Sequence, residues 1–247
     1  MIAEKTVLVT GGASGIGLAV VEAALADGWQ VILADVRQDS LEQCRSKLGD
    51  VGRVQYVELN VADEAAVVQA LTTCGPINGL VNSAGVGSDV FCLETSAELF
   101  RRTLEVNLIG SFLVAREVAR LAIARREPAS IVNIGSVSGL VGNRGRVAYG
   151  SSKGGLVTMT KVMAVELAGS GIRVNVIAPG PIETPLVAEV HTPEMRQGWL
   201  ATVPQRRYGS AADIAQSALF LLDDRKSGFI TGQTLSVDGG FTSAGIF

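Results

Sequence analysis

Histidine is almost missing from this chain: it has one, His191, beside three cysteines, Cys44, Cys74 and Cys92. Neither type falls at metal-ligand spacing, so no metal site is expected. His191 lies outside every motif and reads as a surface or loop residue. An odd number of widely spaced cysteines excludes a disulfide framework and points to a reducing compartment. Basic runs are also absent: 21 Lys and Arg against 24 Asp and Glu give a net charge of −3. That balance argues against a nucleic-acid surface. Charges interrupt every long apolar stretch, so no membrane span is expected. Nothing before Lys5 reads as a signal peptide, and a cytoplasmic location is the expectation.

What the chain has in plenty is apolar surface. Of its 247 residues 47% are hydrophobic, with a mean hydropathy of +0.34, as a sheet covered on both faces requires. Short apolar runs alternate with helical patterns along the whole length. Strands are expected at Lys5–Thr10, Gln30–Ala34, Val54–Glu58, Gly79–Asn82, Ile131–Ile134, Val174–Ile177 and Thr234–Val237. Helices are expected at Leu18–Ala26, Ser40–Leu48, Asp63–Thr73, Leu99–Arg125, Tyr149–Ala168 and Ala211–Leu222. Such alternation gives an α/β fold: one Rossmann-type, doubly wound parallel sheet of about seven strands with helices on both faces. No repeat or linker divides residues 1–247, which read as one domain. Only the segment Pro181–Ser210, with Pro181, Pro185, Pro193 and Pro204, breaks the rhythm.

The first strand runs into Gly11-Gly12-Ala13-Ser14-Gly15-Ile16-Gly17 and then a helix. Strand, glycine turn and helix place a diphosphate on unpaired N–H groups at a helix N-terminus. Asp35 closes the second strand, where a carboxylate binds a ribose 2′-hydroxyl and repels a 2′-phosphate. Ligands of such sheets bind beyond the strands' carboxyl ends. The glycine loop, Asp35, Asn82, Ser136 and the Pro179-Gly180 turn all fall there.

Tyr149 and Lys153 stand at helical i, i+4 spacing and address one small volume. A phenol loses its proton near pH ~10 in water. A fixed cation nearby favours the phenolate, which suits the pair to move a proton on or off an alcohol oxygen.

Thr10-Gly11-x-x-x-Gly15-x-Gly17, Asn82-Ser83-Ala84-Gly85, Asn107, Ser136, Tyr149 and Lys153 together resemble the short-chain dehydrogenase/reductase family. The order and spacing agree from the first strand to the closing Ser236-Val237-Asp238-Gly239-Gly240. Two departures are small: Ser83 replaces a usual Asn, and Asn60 stands where many relatives carry Asp. The resemblance implies an NAD-dependent alcohol dehydrogenase or carbonyl reductase with Tyr149 as general acid/base. Lys153 would also hold the nicotinamide ribose, Ser136 would bond the substrate oxygen, and Asn107 would hold a water linking Lys153 to solvent. Cofactor contacts carried over are Gly11, Ser14, Gly15, Ile16, Gly17, Asp35, Asn60, Val61, Asn82, Ala84, Gly85, Tyr149, Lys153, Pro179, Gly180, Ile182 and Thr184, with Asn60 near the adenine.

The substrate is expected to be a small polar secondary alcohol, a polyol or sugar ahead of a hydroxy acid, or its ketone. Ser138 and Arg146 are the candidate substrate residues. Arg146, three residues before Tyr149, would grip an anion, bond several hydroxyls, or simply solvate a loop with Arg144. The loop Gly139–Ala148 and the segment Pro181–Ser210 are expected to line the pocket. An alternative activity is a 3-oxoacyl thioester reductase, against which Asp35 stands; Arg37 nearby softens that preference. A non-catalytic NAD-binding sensor is the alternative of another class. The two long helices carry apolar residues on more than one face, and by resemblance the chain is expected to form a homotetramer.

Overall fold

The computed structural model describes residues 5–49, 52–184, 187 and 192–244. The first half of the chain runs β1 (Thr6–Thr10), α1 (Gly15–Ala26), β2 (Gln30–Asp35), α2 (Gln38–Leu48), β3 (Val54–Glu58), α3 (Glu64–Thr73) and β4 (Gly79–Asn82). The second half begins with α4 (Ala97–Leu104), a π-helical turn at Glu105–Gly110 and α5 (Ser111–Arg125), then β5 (Ala129–Ile134), α6 (Val147–Leu167) and β6 (Ile172–Pro179). It ends with β7 (Ile182–Glu183), α7 (Pro193–Thr202), β8 (Gly209–Ser210), α8 (Ala211–Leu222), α9 (Asp224–Ser227) and β9 (Thr234–Val237).

The seven-stranded sheet has the order β3-β2-β1-β4-β5-β6-β9 and every pairing is parallel. Strand period two sorts its side chains into two cores. Val7 and Val9 of β1 face a cluster with Val20 and Val21 of α1 and Ile214 and Leu221 of α8. Leu8, between them, faces the opposite cluster with Val67 and Leu71 of α3 and Val114 and Val118 of α5. The expected sheet buried on both faces is therefore present. The chain order reverses between β1 and β4, and the crevice for a ligand opens at that point.

A polar thread crosses the second core. Asn82 of β4 and Asn133 of β5 are register partners. Asn82 Nδ2 donates to Asn133 Oδ1 at 2.9 Å, and Asn133 Nδ2 donates to Thr160 Oγ1 of α6 at 2.9 Å. Buried amides need such partners, and this chain fixes the lateral position of α6 against the two central strands.

Two expectations are corrected in detail. The helix read as continuous over Leu99–Arg125 contains the π-helical turn, which adds a residue to the spiral at Asn107. Single π turns of this kind re-aim side chains at functional sites. The segment read as irregular contains α7. Thr192 accepts from Met195 N at 3.3 Å and Pro193 occupies the first turn, so this proline starts a helix instead of breaking one. Pro185 and His191 lie outside the described residues. Among the described residues no helix is long and apolar enough to cross a membrane.

Candidate active site

The glycine loop between β1 and α1 owes its path to two glycines. Gly11 has φ +62°, and a Cβ there would sit 2.8 Å from the backbone of Ala84. Gly15 has φ +52° and faces Thr184, whose side chain would lie 3.6 Å from a Cβ added to it. Thr10 ties the loop to the neighbouring strand end, its Oγ1 accepting from Ser83 N and Ala84 N at 3.2 Å each. Ser14 occupies the N-cap of α1 with extended backbone, yet its side chain caps nothing. The first N–H groups of α1 are thus left for an anion, at the positive end of the helix dipole.

Asp35 ends β2 almost fully buried. Its Oδ2 accepts from Ala13 N at 3.2 Å and its Oδ1 from Arg37 N at 3.1 Å. Two backbone donors therefore fix the carboxylate at the edge of the cleft. The Arg37 guanidinium lies 3.9 Å from Oδ1 and is itself more than half exposed, so solvent screens most of that attraction.

Beyond β5 the chain turns through Ser136, whose Oγ accepts from Ser138 N at 3.1 Å. The Ser136 hydroxyl also lies beside the Tyr149 phenol and acts on its proton affinity. Burial pushes the phenol's pKa up, while the Ser136 hydroxyl and the Arg146 charge pull it down. One turn along α6, Lys153 is buried with its Nζ donating to the Ile134 carbonyl at 2.8 Å, 5.7 Å from the centre of the tyrosine ring. Desolvation lowers the Lys153 pKa to about 8. Gly139 and Gly150 allow this packing: a Cβ on Gly139 would lie 2.6 Å from the Lys153 backbone, and one on Gly150 2.8 Å from the Ser138 carbonyl oxygen.

These pieces share one cleft of about 1180 Å³. That exceeds the range of about 300–1,000 Å³ typical of a pocket for one drug-sized ligand, so a long ligand and a second small one fit together. Gly11, Ser14, Gly15, Ile16, Asp35, Asn60, Val61, Ala84, Gly85, Ser136, Ser138, Arg146, Tyr149, Lys153, Pro179, Gly180, Ile182 and Thr184 all line it.

Three expected site residues stand apart from the lining. Gly17 serves packing, since a Cβ there would come 2.1 Å from the Gly11 carbonyl oxygen. Asn82 points into the sheet–helix interior, where its amide bonds Ser111 O and Asn133 Oδ1; strand alternation turns it away from the cleft. Asn107 is fully buried behind the lining. Its Oδ1 accepts from Val86 N at 2.8 Å, and its Nδ2 donates to Val86 O and Ser152 Oγ at 3.0 and 3.1 Å. Both amide hydrogens are engaged, so the residue anchors the loop after β4. Its Oδ1 still lies near the Gly85 and Lys153 side, 3.1 Å from a Cβ built on Gly85.

The lining also contains residues that the sequence pattern did not single out. The loop after β4 contributes Ser88 and Asp89, α4 contributes Glu98, Arg101 and Arg102, and α7 contributes Trp199. Of the loop Gly139–Ala148 only Arg146 lines the cleft. Gly145 marks where this loop meets the loop after β4. Its φ is +74° and a Cβ there would lie 2.2 Å from Asp89 Oδ1, so a glycine is required where the two loops meet.

Residues 11–242 match a family model described as enoyl-(acyl carrier protein) reductase. A 2-(S)-hydroxypropyl-CoM dehydrogenase of Xanthobacter autotrophicus is 36% identical over 97% of this chain and 97% of its own. A 3-oxoacyl-[acyl-carrier-protein] reductase of Thermotoga maritima is 39% identical over 96% of this chain and 97% of its own. Galactitol 2-dehydrogenase of Cereibacter sphaeroides is 38% identical over 95% and 93%. Among solved structures, ElxO with NADP bound superposes with a TM-score of 0.88 at 30% identity, covering 98% of this chain and 100% of that one. The matches span nearly the whole chain and agree with the fold and the cleft: the protein belongs to the short-chain dehydrogenase/reductase family of oxidoreductases, which bind a nicotinamide cofactor.

Proposed function

We propose that this protein is an NAD(H)-dependent oxidoreductase that interconverts a small polar secondary alcohol and its ketone. The observation that carries the reading is the Tyr149 phenol set beside the Ser136 hydroxyl, which lowers its pKa, and buried Lys153, in the same cleft as the glycine loop and Asp35. When bound, the nicotinamide supplies the hydride acceptor or donor. The chain's residues do the rest. Tyr149 takes the hydroxyl proton in oxidation and returns it in reduction. Ser136 hydrogen-bonds the substrate oxygen, where charge develops. Lys153 holds the ribose next to Tyr149 and favours the phenolate, and Asn107 ties that corner to the loop after β4.

Support for NAD rests on Asp35. Its carboxylate is set by two backbone donors and has one lone pair or more on each oxygen left for ribose hydroxyls. A 2′-phosphate would meet like charge there. ElxO with NADP bound shows that the family as a whole does not decide the cofactor, so the argument is this chain's own. Relatives named for galactitol and for hydroxypropyl-CoM support a secondary alcohol. The relative named as a 3-oxoacyl-[acyl-carrier-protein] reductase supports a second reading, reduction of an acyl thioester. A screen of NAD+ reduction over polyols, sugars, hydroxy acids and simple secondary alcohols, beside NADH oxidation with an acetoacetyl thioester, separates the two.

The protein is further proposed to work as a homotetramer. Apolar side chains remain exposed on α5 (Phe112, Ile123), on α6 (Val162, Val165) and around β9 (Phe229, Leu235). Val165 is 81% exposed in the single chain, and large apolar side chains left in solvent support an interface there. Light scattering at micromolar concentration should return four times the chain mass; a monomer mass refutes the assembly.

NAD(H) should be preferred over NADP(H) by at least about tenfold in kcat/KM, roughly 1.4 kcal/mol. Asp35→Ala should narrow the gap, mainly by removing repulsion. Equal efficiency with both cofactors in the parent protein overturns the assignment.

Tyr149→Phe should lower kcat by a factor of about 10²–10⁴, the usual worth of a positioned acid/base, with cofactor affinity nearly unchanged. Turnover within about twofold of the parent would place the proton transfer elsewhere.

Lys153→Met should raise the Tm of the cofactor-free protein at pH 7 while abolishing activity. Burial lowers the Lys153 pKa in the folded chain to about 8 from the ordinary lysine value of 10.5. The unfolded chain therefore binds more protons between those values, and stability rises with pH across the window. The penalty is complete below pH about 8 and gone above about 10.5. The gain in Tm should accordingly be seen at pH 7 and vanish at the alkaline end; a lower Tm at pH 7 contradicts the argument.

A further inference from the structure

Tyr149 has a second cation beside it. Arg146 occupies the N-cap of α6, and its guanidinium carbon lies 5.6 Å from the centre of the tyrosine ring, as close as the Lys153 ammonium at 5.7 Å. The arginine does not reach this place by its own flexibility. Its Nη1 donates to the Ser88 carbonyl at 3.1 Å, and its Nη2 pairs with Asp89 Oδ2 at 3.3 Å. Around it the two loops are joined along the backbone: Val90 N donates to Gly145 O at 3.0 Å, and Val90 and Arg146 form a parallel bridge. Arg144 adds a cation–π contact over Phe91 at 4.6 Å. Only 17% of the Arg146 side chain is exposed, so it is not a solvated loop arginine.

The two cations differ in what pH does to them. Lys153 is lowered to about 8, and its charge fades across the alkaline range in which a phenol titrates. A guanidinium keeps its charge throughout. Asp89, 3.3 Å from the guanidinium, opposes part of that charge.

We propose that Arg146, clamped by Ser88 and Asp89, is a positioning residue that sets the proton affinity of Tyr149, with Asp89 as its counterweight. The inference rests on the proposed role of Tyr149 as proton-transfer group. It gives the loop after β4 a task in the reaction without contact to the substrate. Other groups face the phenol too. Ser136 contributes its hydroxyl from the turn after β5, and Lys153 its ammonium from α6. Glu98, Arg101, Arg102 and Glu105 line the same cleft from α4 and its π turn. Those four are solvent-exposed residues of both signs, and water screens them more than the half-enclosed clamp.

The test uses the cofactor-free protein with tyrosines labelled at 13Cζ. Three tyrosines give three titrating signals, and Tyr149→Phe assigns the relevant one. Arg146→Gln should raise the Tyr149 pKa by at least about half a unit. Asp89→Asn should lower it, and Arg146→Lys, which keeps the charge, should fall between Gln and the parent. Opposite shifts from the two halves of one clamp are not expected of a merely structural contact. In alcohol oxidation the acidic limb of kcat/KM against pH should move with the NMR value, upward for Arg146→Gln and downward for Asp89→Asn. A Tyr149 titration unmoved by both variants overturns the inference. So does an Arg146→Gln effect confined to KM for anionic substrates, which would make the arginine a substrate grip. Tyrosine shifts with an unmoved rate limb support the coupling and overturn the reading of Tyr149 as the proton-transfer group.

Discussion

All seven strands of the sheet run the same way, so their carboxyl ends open on one edge, and the glycine loop, Asp35, Ser136 and the Pro179-Gly180 turn hang from that edge. A parallel sheet has to be covered on both faces, and the covering helices leave the ends of the central strands free to border a cleft. The residues at those ends, Thr10, Asp35, Ile134 and Pro179, hold or border the glycine loop, the carboxylate, the lysine and the second lining turn. The site is a consequence of that direction. Turning one central strand around would send its turn to the opposite edge and disperse the set.

Within that frame the chain places a cation where it is poorly solvated. Lys153 is buried and has a carbonyl oxygen, not a carboxylate, as its partner. Desolvation of a charge is costly unless it is paired, and the lowered pKa is the sign of that cost. A carboxylate beside Lys153 would relieve it, and would also cancel the field acting on Tyr149. The acid of the clamp, Asp89, is instead paired to Arg146. On the proposed role of Lys153, stability yields to function here by the choice of a neutral partner for the lysine.

Much of this was readable from the sequence, because strand and helix periodicity and the order of motifs are local signals. The seven strands fall where alternation and apolar runs put them, and most of the lining follows from residues at strand ends. What was not readable depends on where a side chain points or on what approaches it. Asn82 sits at a strand end like Ser83, but the pleat turns it to the interior. Asn107 is marked by the family pattern, yet its amide is bound by Val86 and Ser152, contacts across 21 and 45 residues of chain. The lining by α4 and the loop after β4 is equally non-local. For the loop after β4 the link is Val90 beside Arg146, a pairing without any repeat or motif to announce it.

The glycines separate the two kinds of information. The pattern from Gly11 to Gly17 reads as one phosphate-binding device, but its members do different work. Gly11 and Gly15 need positive φ and border the cleft, whereas Gly17 lies in α1 and excludes a Cβ because the Gly11 carbonyl comes to 2.1 Å of where it would be. The first two shape the surface that meets a ligand, and the third lets the helix close against the loop so that its N–H groups arrive there at all. Gly145 belongs with the third: with Asp89 Oδ1 2.2 Å from a would-be Cβ, it is the space in which the acid reaches Arg146. A glycine that contacts nothing in the cleft can thus govern which charges do, and that dependence is spatial before it is sequential.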